Sequence, residues 1–233
     1  MKVTYIDRMG SDLSVVNAAR VSFSKTSDWE YEGVEEMDTE GREIYYYQKV
    51  KGLKASDEKL IKYLAEHNHW TPFGHASLSF HIKAPIFVAR QLVKHTVGLV
   101  WNEVSRRYVN TPPEFYFPKE WRKTHEDKKQ GSYEDVFVEL NENQQNGVNA
   151  LAGKCSEWYS KLLELGVCAE QARMILPQNM YTEWYWSGTL YAFARVCNLR
   201  CKPDTQKETR DIANEIDKIA ANYFPVSWKY LKK

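Results

Sequence analysis

The 233-residue chain has no apolar run near the roughly 20 residues that cross a bilayer, and its opening, Met1-Lys2-Val3-Thr4-Tyr5-Ile6-Asp7, lacks a signal peptide's long apolar segment. We therefore expect no membrane partner and a cytoplasmic location. Excess charge of either sign is also missing. With 32 Lys and Arg against 31 Asp and Glu the formal net charge is +1, so no global field draws the chain to nucleic acid, and an anion must be met by a local group of Arg or Lys. Neither GxGxxG nor GxxxxGK[ST] occurs, which removes the two common backbone cradles for phosphates and leaves that work to side chains. Cysteine is sparse: Cys155, Cys168, Cys197 and Cys201 have none of the CxxC spacing of zinc or redox motifs and read as reduced structural thiols. Cys197 and Cys201, four apart on an expected helix, can share a face, but free Cys packs as a small hydrophobe and no chemistry is assigned to them. His67 and His69, with His75 and His81 beyond, lack flanking ligand context, so no metal is expected. Repeats, low-complexity tracts and Pro/Gly-rich linkers are absent too, and residues 1–233 are expected to form one domain.

What is present is a globular composition, 43% hydrophobic and 27% charged, sufficient to bury a core. Val3-Thr4-Tyr5-Ile6 reads as a short strand, and Ser11 or Asp12 can cap a helix through Arg20. Residues 25–54 carry an acidic stretch (Glu35, Glu36, Asp38, Glu40) and the run Tyr45-Tyr46-Tyr47 without helical period, and read as an inserted loop or hairpin. Ser56-Asp57-Glu58 looks like a helix start, with Leu60, Ile61, Leu64 and Ala65 at helical spacing up to His67. Leu78, Phe80, Ile82 and Ala84 alternate with Ser79, His81 and Lys83 as a half-buried strand, which Pro85 ends while opening a helix from Ile86. After a polar loop near 119–131, a long helical pattern runs from Ser132 to Leu165 and stops at Gly166. Helices near 189–200 and 204–224 follow, the last with an apolar stripe of Ile212, Ile216, Ile219 and Tyr223. Strands and helices do not alternate regularly, so the expected class is α+β, an antiparallel or mixed sheet packed with several long helices.

The densest polar cluster is Arg90-Gln91-Leu92-Val93-Lys94-His95-Thr96, followed by Asn102-Glu103-Val104-Ser105-Arg106-Arg107-Tyr108. If the helix from Ile86 continues, Arg90 pairs with Lys94 and Gln91 with His95, four apart. One reading is a solvated helix face. The other starts from the apolar segment that Arg90, Gln91 and Lys94 interrupt: buried polar groups there cost free energy unless paired, and a bound anion would pair them.

These residues resemble the flavin-dependent thymidylate synthase family, whose frame is RQ-x-x-RHR followed by NE-x-S-x-RY. Further blocks in family order are Ala18-Ala19-Arg20-Val21-Ser22-Phe23, His67-Asn68-His69-Trp70-Thr71-Pro72-Phe73, Ala84 to Gln91, and Ala172-Arg173-Met174-Ile175-Leu176-Pro177, so the likeness covers nearly the whole chain. It departs where the triplet reads Lys94-His95-Thr96, with an extra residue before Asn102, where Gly74 stands for a frequent Glu, and where Tyr191 and Arg195 stand for a usual Arg and Asn.

The resemblance implies reductive methylation of dUMP to dTMP, with FAD reduced by NADPH, 5,10-methylenetetrahydrofolate as one-carbon donor, and a homotetramer whose active sites combine residues of several subunits. It assigns dUMP contacts to Gln91, Lys94, Glu103, Val104, Ser105, Arg106, Arg107, Arg173 and Arg200. FAD contacts fall on Ser22, His69, Thr71, Lys94, His95, Thr96, Glu103, Thr189, Tyr191 and Arg195. Arg200 would polarise the uracil ring as the catalytic side chain, since a guanidinium stabilises developing negative charge without giving up a proton; its plain alternative is a charge on a helix C-terminal dipole. Ser105 has no adjacent His in sequence and suits binding, and the cysteines lack a Pro-Cys-His context, so no covalent nucleophile is expected. Two alternatives stand beside this reading: a related flavoprotein acting on another pyrimidine nucleotide, and a non-catalytic nucleotide- or nucleic-acid-binding module suggested by the aromatics and Arg106-Arg107.

Lys for Arg exchanges a planar five-donor fork for a point charge, and Thr96 removes a charge altogether. Lys94→Arg with Thr96→Arg should therefore lower the FAD dissociation constant measured by fluorescence titration; an unchanged constant would refute that role for the triplet.

Overall fold

The computed structural model describes residues 1–39, 43–109, 111–127 and 131–233, and leaves aside the side chains of 33–39 and 43–48. In chain order the elements are β1 (Lys2–Met9), α1 (Asp12–Arg20), β2 (Glu30–Thr39), β3 (Glu43–Gly52), α2 (Ala55–Glu66), β4 (Ser77–Pro85), α3 (Ile86–Leu92), β5 (Leu99–Glu103), β6 (Trp121–Thr124), β7 (Ser132–Val138), α4 (Glu142–Glu164), α5 (Ala169–Ala172), β8 (Tyr181–Thr189), α6 (Leu190–Arg200), α7 (Lys207–Tyr223) and α8 (Pro225–Leu231). The class is α+β, as expected: a four-stranded sheet in the order β1-β4-β8-β5, antiparallel throughout, with two separate two-stranded ladders, β2-β3 and β6-β7.

Period-2 patterning sets the core face. On β4, Leu78, Phe80, Ile82 and Ala84 are buried, and the register sets Phe80 opposite Trp186 and Ile82 opposite Trp184. Trp101 stacks on Trp184 with centroids 4.4 Å apart and meets Trp186 edge-on, and Trp186 and Phe80 both meet Phe193 of α6 edge-on. Such aromatic pairs contribute about 0.5–1.5 kcal/mol beyond burial, so they hold β5 and α6 to the centre of the sheet. Helices α1, α2, α6, α7 and α8 cover the core, with Ile212, Ile216 and Ala220 of α7 buried at helical spacing.

Two acidic residues lock the N-terminal half. Asp57 is fully buried and accepts from Arg20 and from the Ser27 hydroxyl, so it ties α1 and the segment after it to α2. Asp12 does not cap its own helix: its carboxylate accepts from the Val226 and Ser227 amides at 3.0 and 2.8 Å and caps α8 from across the chain.

The structure corrects several local expectations. Helix α2 starts at Ala55 behind an N-cap at Lys54, one residue ahead of Ser56, with Asp57 and Glu58 in its first turn as expected; the Asp57 carboxylate is in addition engaged by Arg20. Residues 132–138 form β7, and the long helix begins only at Glu142, where Asn141 and Gln144 make a reciprocal capping box; the aromatic and β-branched run of 132–138 prefers a strand. Helix α3 stops at Leu92, so Lys94 and His95 lie in the following turn and the four-apart helical pairs do not form. Strands β5 and β8 were not anticipated; β8 alternates Thr182, Trp184 and Trp186 inward. Glu30–Thr39 and Glu43–Gly52 form an antiparallel ladder; Glu35, Glu36, Asp38 and the tyrosine run fall where side chains are not described, and Glu40 lies outside the described residues.

Gly98 and Gly188 mark the tightest approach. A Cβ on Gly188 would collide with the Gly98 carbonyl oxygen and stand 3.0 Å from Leu99 Cα, and a Cβ on Gly98, at φ +77, would stand 3.1 Å from both Thr189 Oγ1 and Ala192 Cβ. Gly188→Ala should cost about 1–3 kcal/mol in urea unfolding by forcing the strands apart. Gly147→Ala in α4, with open space around it, should instead stabilise by about 0.5–1 kcal/mol. A Gly188→Ala protein as stable as the parent would refute the constraint.

Candidate active site

The first cleft is built by a helix ending. After α2 the chain caps itself with Asn68 at φ +55, the His69 amide bonding to Leu64 O at 2.9 Å and the Asn68 amide to Ala65 O at 3.3 Å. That is a Schellman ending with Asn in the left-handed position, and it turns His69, Trp70 and Thr71 outward together. They meet Ser22 from the 3-10 turn Val21–Phe23 in a cleft of about 730 Å³. Trp70 is 54% exposed and its ring lies 6.2 Å from Tyr191. Tyr191 and Arg195 line an adjoining cleft of about 390 Å³ with Asn198 and Lys202, and Asn68 borders both spaces.

The segment 93–98 runs beside α6. Thr189 caps that helix, its Oγ1 accepting from the Ala192 amide at 3.2 Å, and the Thr189 amide bonds to Gly98 O at 3.0 Å. Farther along, Arg200 Nε donates to His95 Nε2 at 3.0 Å. Burial, then the charges of Arg200 and Arg195, hold the His95 pKa below its ordinary 6.5, which keeps the accepting nitrogen unprotonated at neutral pH. Lys94 and Thr96 are exposed and make no side-chain hydrogen bond to the described residues.

A third cleft, of about 680 Å³, brings together Glu103, Val104, Arg106 and Arg173. Glu103 is fixed at the end of β5 by the Thr182 hydroxyl at 2.7 Å and by Trp101 Nε1 at 3.1 Å. Arg106 donates to the Thr111 carbonyl. Ser105 Oγ accepts from the Arg107 amide at 3.3 Å and from its Nε at 3.2 Å, and the same guanidinium faces Glu170 at 3.8 Å. Gln91 turns elsewhere: its amide donates to Gln206, and Thr209 Oγ1 donates to it at 3.1 Å. The third cleft shares no lining residue with the first two: it holds Glu103, Val104, Arg106 and Arg173, whereas Ser22, His69, Thr71, Tyr191 and Arg195 line the other two.

Sequence reasoning missed Asn68, Trp70, Lys202 and Glu170. An Asn directly after a helical pattern is a signal for the left-handed cap and would have placed Asn68. Glu170, supplied by short α5 opposite Arg107, carries no sequence signal.

An antiparallel sheet backed by helices, with arginines lining two of the three clefts and no glycine-loop motif, defines an α+β protein whose cationic groups at these clefts are side chains. The sequence matches the family described as thymidylate synthase complementing protein over residues 4–226. The flavin-dependent thymidylate synthase of Thermus thermophilus is 37% identical over 97% of this chain and 73% of its own length, and that of Kosmotoga olearia 36% over 97% and 88%. A crystal structure of the UMP/dUMP methylase PolB from Streptomyces cacaoi, bound with 5-Br dUMP, is similar with a TM-score of 0.76 at 28% identity, covering 98% of this chain and 93% of that one. The chain belongs to the flavin-dependent thymidylate synthase family. Among the described residues, no helix is long and apolar enough to cross a membrane.

With a folded pKa below the ordinary 6.5, His95 takes its proton later than the unfolded chain does as pH falls. Its contribution is intact above about pH 6.5 and is lost on acidification through the folded value. NMR should find the His95 ring titrating below 6.5, and His95→Gln should flatten the acid side of the stability profile. Titration at or above 6.5 would overturn the assignment.

Proposed function

We propose that this protein is a single-domain flavin-dependent thymidylate synthase that reductively methylates dUMP to dTMP, with FAD reduced by NADPH and 5,10-methylenetetrahydrofolate as one-carbon donor. The observation that carries the reading is the 3.0 Å bond between Arg200 and His95 of the signature segment, two residues 105 apart in sequence. The bond commits Nε of Arg200 to a neutral imidazole, leaving the terminal nitrogens for a ligand. There a planar fork meets the uracil edge and stabilises the negative charge that develops on the ring.

The residues fit a flavin dinucleotide. Trp70 and Tyr191 offer apolar ring faces beside Ser22, His69 and Thr71, and Arg195 and Lys202 line the adjoining cleft where a diphosphate would need cations. Lys94, His95, Thr96, Glu103 and Thr189 complete the proposed contacts. When bound, the flavin supplies the redox chemistry, and the protein's part is to bind, align and polarise.

For dUMP, Arg173, Arg107, Arg106 and Ser105 are the proposed phosphate group, with Glu103, Val104, Gln91 and Lys94 beside them. Glu170 is the anion that a phosphate would displace from Arg107. Gln91 has to exchange its partners on α7 to reach a nucleotide.

We further propose a homotetramer with shared sites. Arg173 and Arg195 line different clefts, and Phe23, Val97, Val100, Tyr108 and Met174, each at least 70% exposed, flank the ligand residues with apolar surface that another subunit would cover.

A second reading, methylation of UMP as well as dUMP, is favoured by the likeness to PolB. Parallel assays with dUMP, UMP and dCMP separate the two. Turnover with none of them, or a protein that shows no flavin absorbance after incubation with FAD, would sink the proposal.

Arg200→Lys should lower dTMP formation at saturating dUMP by roughly a hundredfold or more while NADPH still reduces the flavin, in line with losing one preorganised donor. Arg173→Ala should mainly raise KM for dUMP with little change in kcat, because a phosphate contact made equally in ground and transition states does not alter the chemical step. Normal turnover by Arg200→Lys would return that residue to a helix-terminal charge.

A further inference from the structure

The end of α6 carries a group of side chains that the proposed reaction does not use. Cys197 is fully buried on the inner face of the helix, and one turn on, half-buried Cys201 places its sulfur on the same side, close to that of Cys197. Across from them α7 presents Asp217, and one donor atom from each of the three residues lies within 4.8 Å of the other two. The carboxylate is oriented: Trp228 Nε1 donates to Asp217 Oδ1 at 2.9 Å, leaving Oδ2 available. The thiol of Cys197 has only a long contact, 3.6 Å to the Ala213 carbonyl.

We propose that Cys197, Cys201 and Asp217 form a site for a thiophilic divalent cation of the zinc type, built from side chains that the proposed flavin and nucleotide sites do not use. The donor chemistry selects the ion, because two thiolates with one carboxylate suit zinc and do not suit calcium or magnesium. Bond lengths near 2.0–2.3 Å put tetrahedral donors about 3.3–3.8 Å apart, so small rotations of the side chains close the site without moving either helix. Cys201 and Asp217 are each partly exposed, which leaves a fourth position for water. Binding releases the two thiol protons to solvent. The bond from Trp228 is the kind of outer contact that fixes a ligating carboxylate.

The place of the site gives it a consequence. Arg200 sits between the two thiols in sequence, on the last turn of α6, so an ion bridging α6 to α7 would pin the turn that carries it. Single Cys or Asp substitutions should therefore change metal affinity first and Arg200-dependent turnover only secondarily.

The full-length protein, reduced and stripped with a chelator, is titrated with Co²⁺ and read as a difference spectrum. One equivalent should develop a thiolate-to-cobalt charge-transfer band, and one equivalent of Zn²⁺ should bleach it. The Cys155→Ser/Cys168→Ser protein should keep the band, Cys197→Ser/Cys201→Ser should lose it, and Asp217→Asn should weaken binding about tenfold or more. A measurement on the unaltered protein guards against variants that fail to fold: bound Zn²⁺ should slow alkylation of Cys201, read by peptide mass spectrometry. A wild-type protein with no band, a band that survives loss of both thiols, or alkylation of Cys201 unaffected by Zn²⁺ would overturn the proposal.

Discussion

Strand β5 can join β8 only where two backbones pass each other without side chains, at Gly98 and Gly188, and the placement of His95, Trp101 and Glu103 depends on that passage. Because the chain turns at Gly98 with positive φ, the segment before it runs along α6 and brings His95 to Arg200. Because β5 then enters the sheet in register with β8, Trp101 falls between Trp184 and Trp186, and Glu103 reaches Thr182 at the sheet end. The passage thus fixes a flexible-looking polar segment by strand pairing on one side and a helix on the other. A methyl group at Gly188 would disturb both.

Electrostatics follow from the same placement. Near-neutral net charge means that the clefts cannot rely on a long-range field, and the cations are instead held locally: Arg200 by His95, Arg107 by Ser105 and Glu170, Arg106 by a backbone carbonyl. Each partner is neutral or readily displaced, so the guanidiniums keep capacity for an incoming anion. The burial of Arg122 against Glu208, 2.9 Å apart, shows the contrasting case, in which the pair is closed on itself and breaking it would leave an uncompensated charge.

Much of the fold was legible where one period dominated. Leu78 to Ala84 alternate because one sheet face is buried, Ile212, Ile216 and Ala220 recur because α7 lies on the core, and Gly166 ends α4 because only glycine takes its φ of +86 cheaply. What escaped was decided by distant partners. Asp57 is a first-turn acid whose bond to Arg20 the local pattern does not show, and Asp12 caps a helix that begins 213 residues later, at Pro225. Strand β8 went unseen because its buried positions are Thr182, Trp184 and Trp186, whose inward direction depends on pairing with β4. In the candidate site the residue types were readable from resemblance, while their grouping was not: nothing in the linear order shows that Gln91 turns to α7 or that Glu103 and Arg195 line separate clefts.

That separation bears on how the parts work together. A side chain that polarises a ring must be fixed to within a fraction of an ångström, and Arg200, to which we propose that role, stands on a helix end held by the core through Val196 and Cys197 and by the His95 contact. Arginines that meet a phosphate need less precision, since a dianion accepts donors from many directions, and Arg107 and Arg173, the residues proposed for that contact, stand exposed, away from the core. Four of the most exposed apolar side chains among the described residues lie beside these same segments, Val97 and Val100 around the Gly98 turn, Tyr108 after Arg107 and Met174 after Arg173. A surface that is rigid at Arg200, adaptable at the other arginines and apolar between them is suited to being completed by a second chain, whose approach would exclude water and strengthen the charge-assisted bonds that the isolated clefts leave open.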